Sequence, residues 1–445
     1  MAGFDFARWW RLDASEEQAS ADNPFAPLTA EQRRPGGPLI ALAVGWGFLI
    51  TGLLAGGALG AGVPLWPDLV WYSLLGNLIN FLVGALVGYI AYRTGCNSAL
   101  IFRSIYGPAG AYVPVVCIAL LTIGWQGIVV GASAQVWTQS PGTLLYYGAV
   151  IFAGLLYTGT TYFGVKGLEK VGTPSMVVLV AVGLYASWLN VDKVGGLGAM
   201  LQLSQTRAAA APLTGLQAIN LVVGSWIVGA VVMAEYVRFT RSFLVAMAIP
   251  FVVLVGDQLF LHLVGALGAV GSGNADFTVY MVSLSGFTAA FGIIGMTLAL
   301  WTTGDTNLYL PAVQTASLFR RPKRVMVVIC GLLGTVLGFG IYQRFLGWID
   351  LLATIVPPIV GPVIAEYYLM RRCPKELKVA EDDRSVNVAA LVAFVGGAVI
   401  AAINGKPWSP LAIELAPALL GLIASVVIYV PVRLLELRLG GASRA

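Results

Sequence analysis

The stretch LIALAVGWGFLITGLLAGGALGAG (residues 39–62) is long and apolar enough to cross a membrane once, yet Gly45, Gly47, Gly52, Gly56 and Gly57 run through its middle. Two readings of those glycines stand side by side. Small residues let membrane helices approach closely. Alternatively the helix unwinds there, releasing backbone carbonyls and amides that hydrocarbon tolerates only where protein or water covers them. A second stretch, LQAINLVVGSWIVGAVVMAEYVRF (residues 216–239), carries Gly224, Ser225 and Gly229 at corresponding places. Counted as spans one and six, the two lie five apart, the spacing expected of an inverted repeat whose matching broken helices hold a ligand near the midplane.

The rest of the chain agrees with a polytopic membrane protein. Of 445 residues, 58% are hydrophobic and 11% charged, and the mean hydropathy is +0.83, far from the usage of a water-soluble globule. Apolar windows recur at 38–62, 69–93, 108–138, 143–165, 172–191, 214–237, 242–271, 280–316, 325–343, 346–370, 386–404 and 410–434, which makes twelve predicted spans. Residues 1–37 are polar and Pro-rich and read as an arm, of which FDFARWWRL could lie on the membrane surface. Residues 38–370 form the core, 371–385 a loop, 386–434 two further spans and 435–445 a tail.

All but four of the 26 lysines and arginines, the exceptions being Lys193, Arg207, Arg344 and Lys406, fall on one side when both termini are placed in the cytoplasm. The net charge of +5 therefore reflects membrane orientation and implies no nucleic-acid partner. The predicted location is a bacterial inner (plasma) membrane. Cys96, Cys117, Cys330 and Cys373 are scattered, His262 is the only histidine, and no phosphate-binding loop is present, so neither a cofactor nor ATP-driven transport is expected.

The eighth span contains LWTTGDTNLY (residues 300–309), polar where apolar residues are expected. Thr302 and Thr303 offer adjacent hydroxyls, and the carbonyl of Ala299, three and four residues earlier, shares their face. With carbonyls from a broken first helix around Gly45 and Phe48, these oxygens suit a small hard cation such as sodium. Equally, both threonines could bond back to their own helix. Asp305 and Asp257 are acids in apolar spans, each a proton site or a structural acid. Trp125 and Trp226, mid-span beside glycines, could stack on a flat heterocycle or pack as core. Trp301 answers Trp125 five spans away, so an all-α five-plus-five inverted repeat with two extra C-terminal spans accounts for both pairs.

These residues resemble the nucleobase:cation symporter-1 family, cytosine permeases most of all. The resemblance rests on TGLLAGGALGAG (51–62), GWQGIVVGASA (124–134), VVGSWIVGAVVMAEYVRFTR (222–241), LALWTTGDTNLY (298–309) and FLGWIDLLATIVPPIVGPVIAEYYLMRR (345–372), and extends from about residue 38 to 433. It implies a twelve-helix leucine-transporter-type fold with helices 1 and 6 broken, and sodium- or proton-coupled uptake of a heterocycle by alternating access. It also implies a sodium site of the Gly45, Phe48 and Ala299 carbonyls with the Thr302 and Thr303 hydroxyls, an aromatic sandwich of Trp125 and Trp226, and a backbone edge at Gly224 and Ser225.

Four positions depart from the family pattern. Thr122 stands where cytosine permeases have a glutamine, Val129 where hydantoin transporters have one, Gly304 where relatives have an asparagine, and Trp226 where cytosine permeases have a phenylalanine. Gln126 is a substitute amide, although about 100° around the helix from Trp125. Thr122 and Gly304 free volume for a substituted pyrimidine, a purine or a vitamin precursor, and make cytosine a poor candidate. The alternatives are an amino-acid or small-amine symporter with GWG (45–47) around a carboxylate, and a passive facilitator. An enzyme is disfavoured, since no histidines, cysteines or paired carboxylates cluster.

Overall fold

The structure, a computed structural model, describes residues 10, 25–163, 165–283, 286–377 and 385–442, which are helical apart from connections and one isolated β-bridge. Span 1 is two helices, Gly36–Gly47 and Ile50–Gly62, inclined by 47°. Spans 2, 3 and 4 are Leu65–Thr94, Tyr112–Thr138 and Leu144–Tyr162, and span 5 lies in the helix Val165–Val194. Span 6 is Gly215–Val231 with a short continuation Ala234–Val237, and span 7 is Phe243–Ser272. Spans 8 to 12 are Gly286–Phe319, Lys323–Leu337, Tyr342–Met370, Val388–Ile403 and Pro417–Ala442.

Packing partners repeat under a shift of five spans. The second half of span 1 lies along span 7, and span 6 lies along span 2. Span 3 meets span 9 as span 8 meets span 4, and span 8 meets span 5 as span 3 meets span 10. Even the connections correspond, with a short helix Ser98–Tyr106 between spans 2 and 3 and another, Phe277–Ser283, between spans 7 and 8. Such exchange symmetry is the contact pattern of two five-span units interlocked around one centre.

Three boundaries differ from the sequence expectation. The window 280–316 is two helices, because the short Phe277–Ser283 helix belongs to the connection. Span 12 continues to Ala442, so most of the expected tail is helix. Span 6 is regular through Gly224 and Ser225 and is interrupted only at Val232 and Met233. The surface reading of FDFARWWRL concerns residues outside those described, Trp10 excepted, whose ring lies 4.9 Å beneath the Arg321 guanidinium.

Glycine does set the span 1–span 7 contact. A Cβ at Gly56 would sit 2.4 Å from the His262 carbonyl oxygen, and one at Gly265 2.2 Å from that of Leu53. Backbone meets backbone there, so neither side can yield by changing rotamer.

Two polar connections close one end of the bundle. Ahead of span 1, the Arg34 amide donates to the Phe239 carbonyl (2.8 Å) and Arg241 Nε to the Arg33 carbonyl (2.8 Å), forming the bridge between Arg34 and Thr240 just beyond span 6. In span 10 the buried Glu366 accepts from Arg371 Nε (2.8 Å) and from the Tyr429 hydroxyl of span 12 (2.7 Å), while Asn387 Nδ2, at the start of span 11, donates to the same hydroxyl (3.1 Å).

Gly56→Ala should therefore lower stability by ~1–3 kcal/mol, the usual cost of overpacking a close contact. Gly159→Ala, where a Cβ meets nothing within 4 Å, is the matched control and should be neutral or mildly stabilising. Melting temperatures of the detergent-purified variants check both.

Candidate functional site

The break in span 1 has a definite form. Phe48 adopts φ −79° and ψ 60°, and the Leu49 amide donates to the Gly47 carbonyl (2.9 Å), which is an inverse γ-turn. In an unbroken helix the Leu49, Ile50 and Gly52 amides would serve the carbonyls of Gly45, Trp46 and Phe48. Instead Leu49 serves Gly47, Gly52 serves Leu49 (3.2 Å), and the Ile50 amide donates to Thr303 Oγ1 (3.4 Å). The turn thus frees the Gly45 and Phe48 carbonyls from their helical donors, and Thr303, fully buried, lies against it from span 8.

The two threonines behave differently. Thr302 Oγ1 donates back to the Ala299 (3.0 Å) and Leu298 (3.2 Å) carbonyls, so for it the local bond is real. Thr303 engages span 1 instead. Thr302, bonded to Ala299 O, and Thr303, bonded to the Ile50 amide, thus bring neutral carbonyl and hydroxyl oxygens of span 8 to the span 1 turn. That donor chemistry fits a hard monovalent cation.

Beside the turn is a small, partly open cavity. Spans 1, 3, 6 and 8 line it through Trp46, Thr122, Trp125, Ser225, Trp226 and Asn307, among others. Trp46 holds the Trp226 ring edge-on (centroids 5.3 Å, 68°) and stacks on Tyr236 (4.1 Å, 16°), while Phe345 meets Trp125 edge-on (6.1 Å, 65°). The hydroxyls of Thr122 and Ser225 donate to their own helices, at Ile118 O and Val222 O, both 2.7 Å. Two buried donors of lining residues, Trp226 Nε1 and Asn307 Nδ2, have no hydrogen-bond partner among the described residues. An orphaned buried donor is costly, and a ligand acceptor removes that cost.

Of the residues singled out from sequence, Thr122, Trp125, Ser225 and Trp226 meet at this cavity. Three others do not. Gly304 adds no volume to it, because the Tyr157 ring of span 4 fills the space, coming within 2.5 Å of where a Cβ would be. Gln126 is packed against Gly334 of span 9, with both amide atoms unpartnered. Gly224 presses on span 10, a Cβ there coming 2.5 Å from the Ile349 carbonyl oxygen, so its missing side chain serves helix packing.

The two acids also separate. Asp305 faces span 4, accepting from Thr160 (2.5 Å) and Thr161 (3.2 Å), with Trp301 Nε1 donating to Thr160 (3.2 Å). Asp257 faces the span 1 turn, buried, its Oδ2 unpartnered and packed on Gly47. Sequence reasoning missed Trp46 and Asn307 as lining residues. Trp46 sits between the two glycines of the break, and Asn307 is four residues, one helical turn, beyond Thr303 on the same face.

Known proteins agree with this architecture. A family described as "Permease for cytosine/purines, uracil, thiamine, allantoin" matches residues 39–415. The cytosine permease of Escherichia coli (strain K12) is 30% identical over 355 residues, 79% of this chain and 83% of that protein. A hydantoin permease of Microbacterium maritypicum is 23% identical, covering 80% of this chain and 78% of its own. Among solved structures, the nucleobase-cation-symport-1 family transporter Mhp1, in a closed conformation with bromovinylhydantoin bound, superposes with a TM-score of 0.74 at 20% identity over 93% of this chain and 95% of its own. A Na+-coupled sialic acid symporter shares the fold more distantly, with a TM-score of 0.65 at 13% identity, over 93% of this chain and 92% of its own. On the family match and the identity to the cytosine permease, this integral membrane protein belongs to the cytosine/purine, uracil, thiamine and allantoin permease family, the nucleobase:cation symporter-1 group of transporters.

Proposed function

We propose that this transporter imports a planar, nucleobase-like heterocycle by symport with a cation, sodium in the first instance, across a bacterial inner membrane with both termini cytoplasmic. The observation that carries the substrate reading is the cavity itself. Trp125 and Trp226 supply aromatic lining, and two lining residues, Trp226 and Asn307, carry buried donors, Nε1 and Nδ2, that a ligand acceptor would satisfy. A ring bearing carbonyl oxygens or unprotonated ring nitrogens supplies both features at once. The names of the relatives, cytosine, hydantoin and purine-uracil permeases, fall in that chemical class.

Thr122 and Trp226 are departures from the cytosine-permease pattern that lie at the cavity, and the hydroxyl proton of Thr122 is already committed to Ile118 O. Thr122 can therefore accept from a ring N–H but offers no second donor. A ring with acceptors toward spans 6 and 8 and an N–H toward span 3 matches this set. For the coupling ion, the carbonyls of Gly45, Phe48 and Ala299 with the hydroxyls of Thr302 and Thr303 would hold sodium. A bound sodium supplies positive charge that ties the turn of span 1 to span 8, next to the cavity, so cation and heterocycle stabilise the same arrangement of those spans.

Purified protein screened for thermal stabilisation by pyrimidines, purines, hydantoins and amino acids should respond to heterocycles, more strongly with sodium, because coupling between two ligands is reciprocal. Stabilisation by amino acids alone would instead favour the amino-acid symporter. Asn307→Ala should weaken heterocycle binding by roughly 5- to 100-fold, the equivalent of about 1–3 kcal/mol for one buried hydrogen bond, while sodium stabilisation without heterocycle stays intact. Thr303→Ala should show the reverse, losing sodium enhancement; its survival in both threonine variants overturns the ion site.

A further inference from the structure

Span 7 reaches the break in span 1 through two consecutive side chains. After Pro250 the helix runs through a π-helical segment, Val252–Asp257, whose wider turn brings both Asp257 and Gln258 against span 1. Gln258 Nε2 donates to the Gly47 carbonyl at 2.7 Å, the same oxygen that closes the γ-turn by accepting from Leu49. A second contact, to Val253 O at 3.4 Å, orients the amide. Gln258 is fully buried and its Oε1 has no partner, so this amide is held in place for its donor. On its other side Gly47 is closed by Asp257, since a Cβ there would fall 1.9 Å from Asp257 Oδ2. The platform is firm: this half of span 7 makes with span 1 the most extensive helix contact in the protein.

We propose that Gln258 is a positioning residue for the cation. Its bond to Gly47 O fixes the γ-turn, and the γ-turn is what keeps the Gly45 and Phe48 carbonyls free of helical donors. Without that bond the turn relaxes toward continuous helix and both carbonyls regain amide partners. The proposal rests on the reading that a cation binds where span 1 meets span 8. It adds a third span to that site, one that supplies no ligand, and it places the cost of losing Gln258 on ion affinity and leaves the cavity's affinity for the heterocycle alone.

The test uses full-length purified protein and sodium alone, with choline holding ionic strength constant, and reads the melting temperature against sodium concentration without heterocycle. Wild type, Gln258→Leu and the similarly shaped Gln258→Met are compared. Both variants should need roughly 10- to 100-fold more sodium for half-maximal stabilisation, the usual penalty for removing a group that orients a metal ligand. Heterocycle affinity at saturating sodium should match wild type. If Gln258 only fills space, the sodium-free melting temperature falls and the half-maximal concentration stays put, which overturns the proposal; should Gln258→Leu fail to fold, Gln258→Met, which keeps the length of the side chain and removes the donor without adding charge, decides alone. A wild type indifferent to sodium defeats the underlying cation reading and the clamp with it, whereas a responsive wild type with equally responsive variants defeats the clamp only.

Discussion

Everything in this transporter turns on the release of a few backbone carbonyls inside a membrane. An unpaired carbonyl in hydrocarbon is costly, so a helix break survives at that depth only when neighbours cover it. Here the cover comes from opposite sides. Thr303 of span 8 receives the amide that the broken helix displaced, and Gln258 of span 7 takes up the carbonyl at the apex of the turn. Further along span 1, Gly56 and Gly60 let spans 1 and 7 touch backbone to backbone, which seats span 7 against the break.

The symmetry of the fold follows from the same economy. Two five-span units that exchange packing partners bring two interrupted spans to the centre, and each is flanked by a span of the other unit. The units have not remained alike in detail. Span 1 breaks at a γ-turn among glycines, whereas span 6 breaks at Val232 and Met233, near the end that the Arg34 bridge closes. The cavity consequently lies beside regular helix on the span 6 side, and Ser225 and Trp226 face it as ordinary helical neighbours.

What was legible in the sequence was whatever a residue type dictates locally. The glycine run of span 1, the threonine pair and the two mid-span tryptophans announce a break, an oxygen pair and aromatic walls. What was illegible depended on which neighbour arrives. Gly304 reads as empty volume until Tyr157 is seen to occupy it, and Gly224 reads as a backbone edge for the substrate until span 10 is seen pressed against it. The span 6 break could not be read because Val232 and Met233 carry no glycine or proline; bonds such as Glu235 N to Val232 O (2.9 Å) define it. Asn307 was in plain view, and counting one turn from Thr303 would have found it.

The bridge between the chain before span 1 and the chain after span 6 centres on a main-chain bond, with the Arg241 and Arg33 side chains each donating to a main-chain oxygen across it and the Arg34 guanidinium over the Phe239 ring. The main-chain bond at its centre depends on no single side chain. Its strength is set by how well two backbone segments line up. A displacement of the two segments by one residue would separate the Arg34 amide from the Phe239 carbonyl, so the latch holds in one register only.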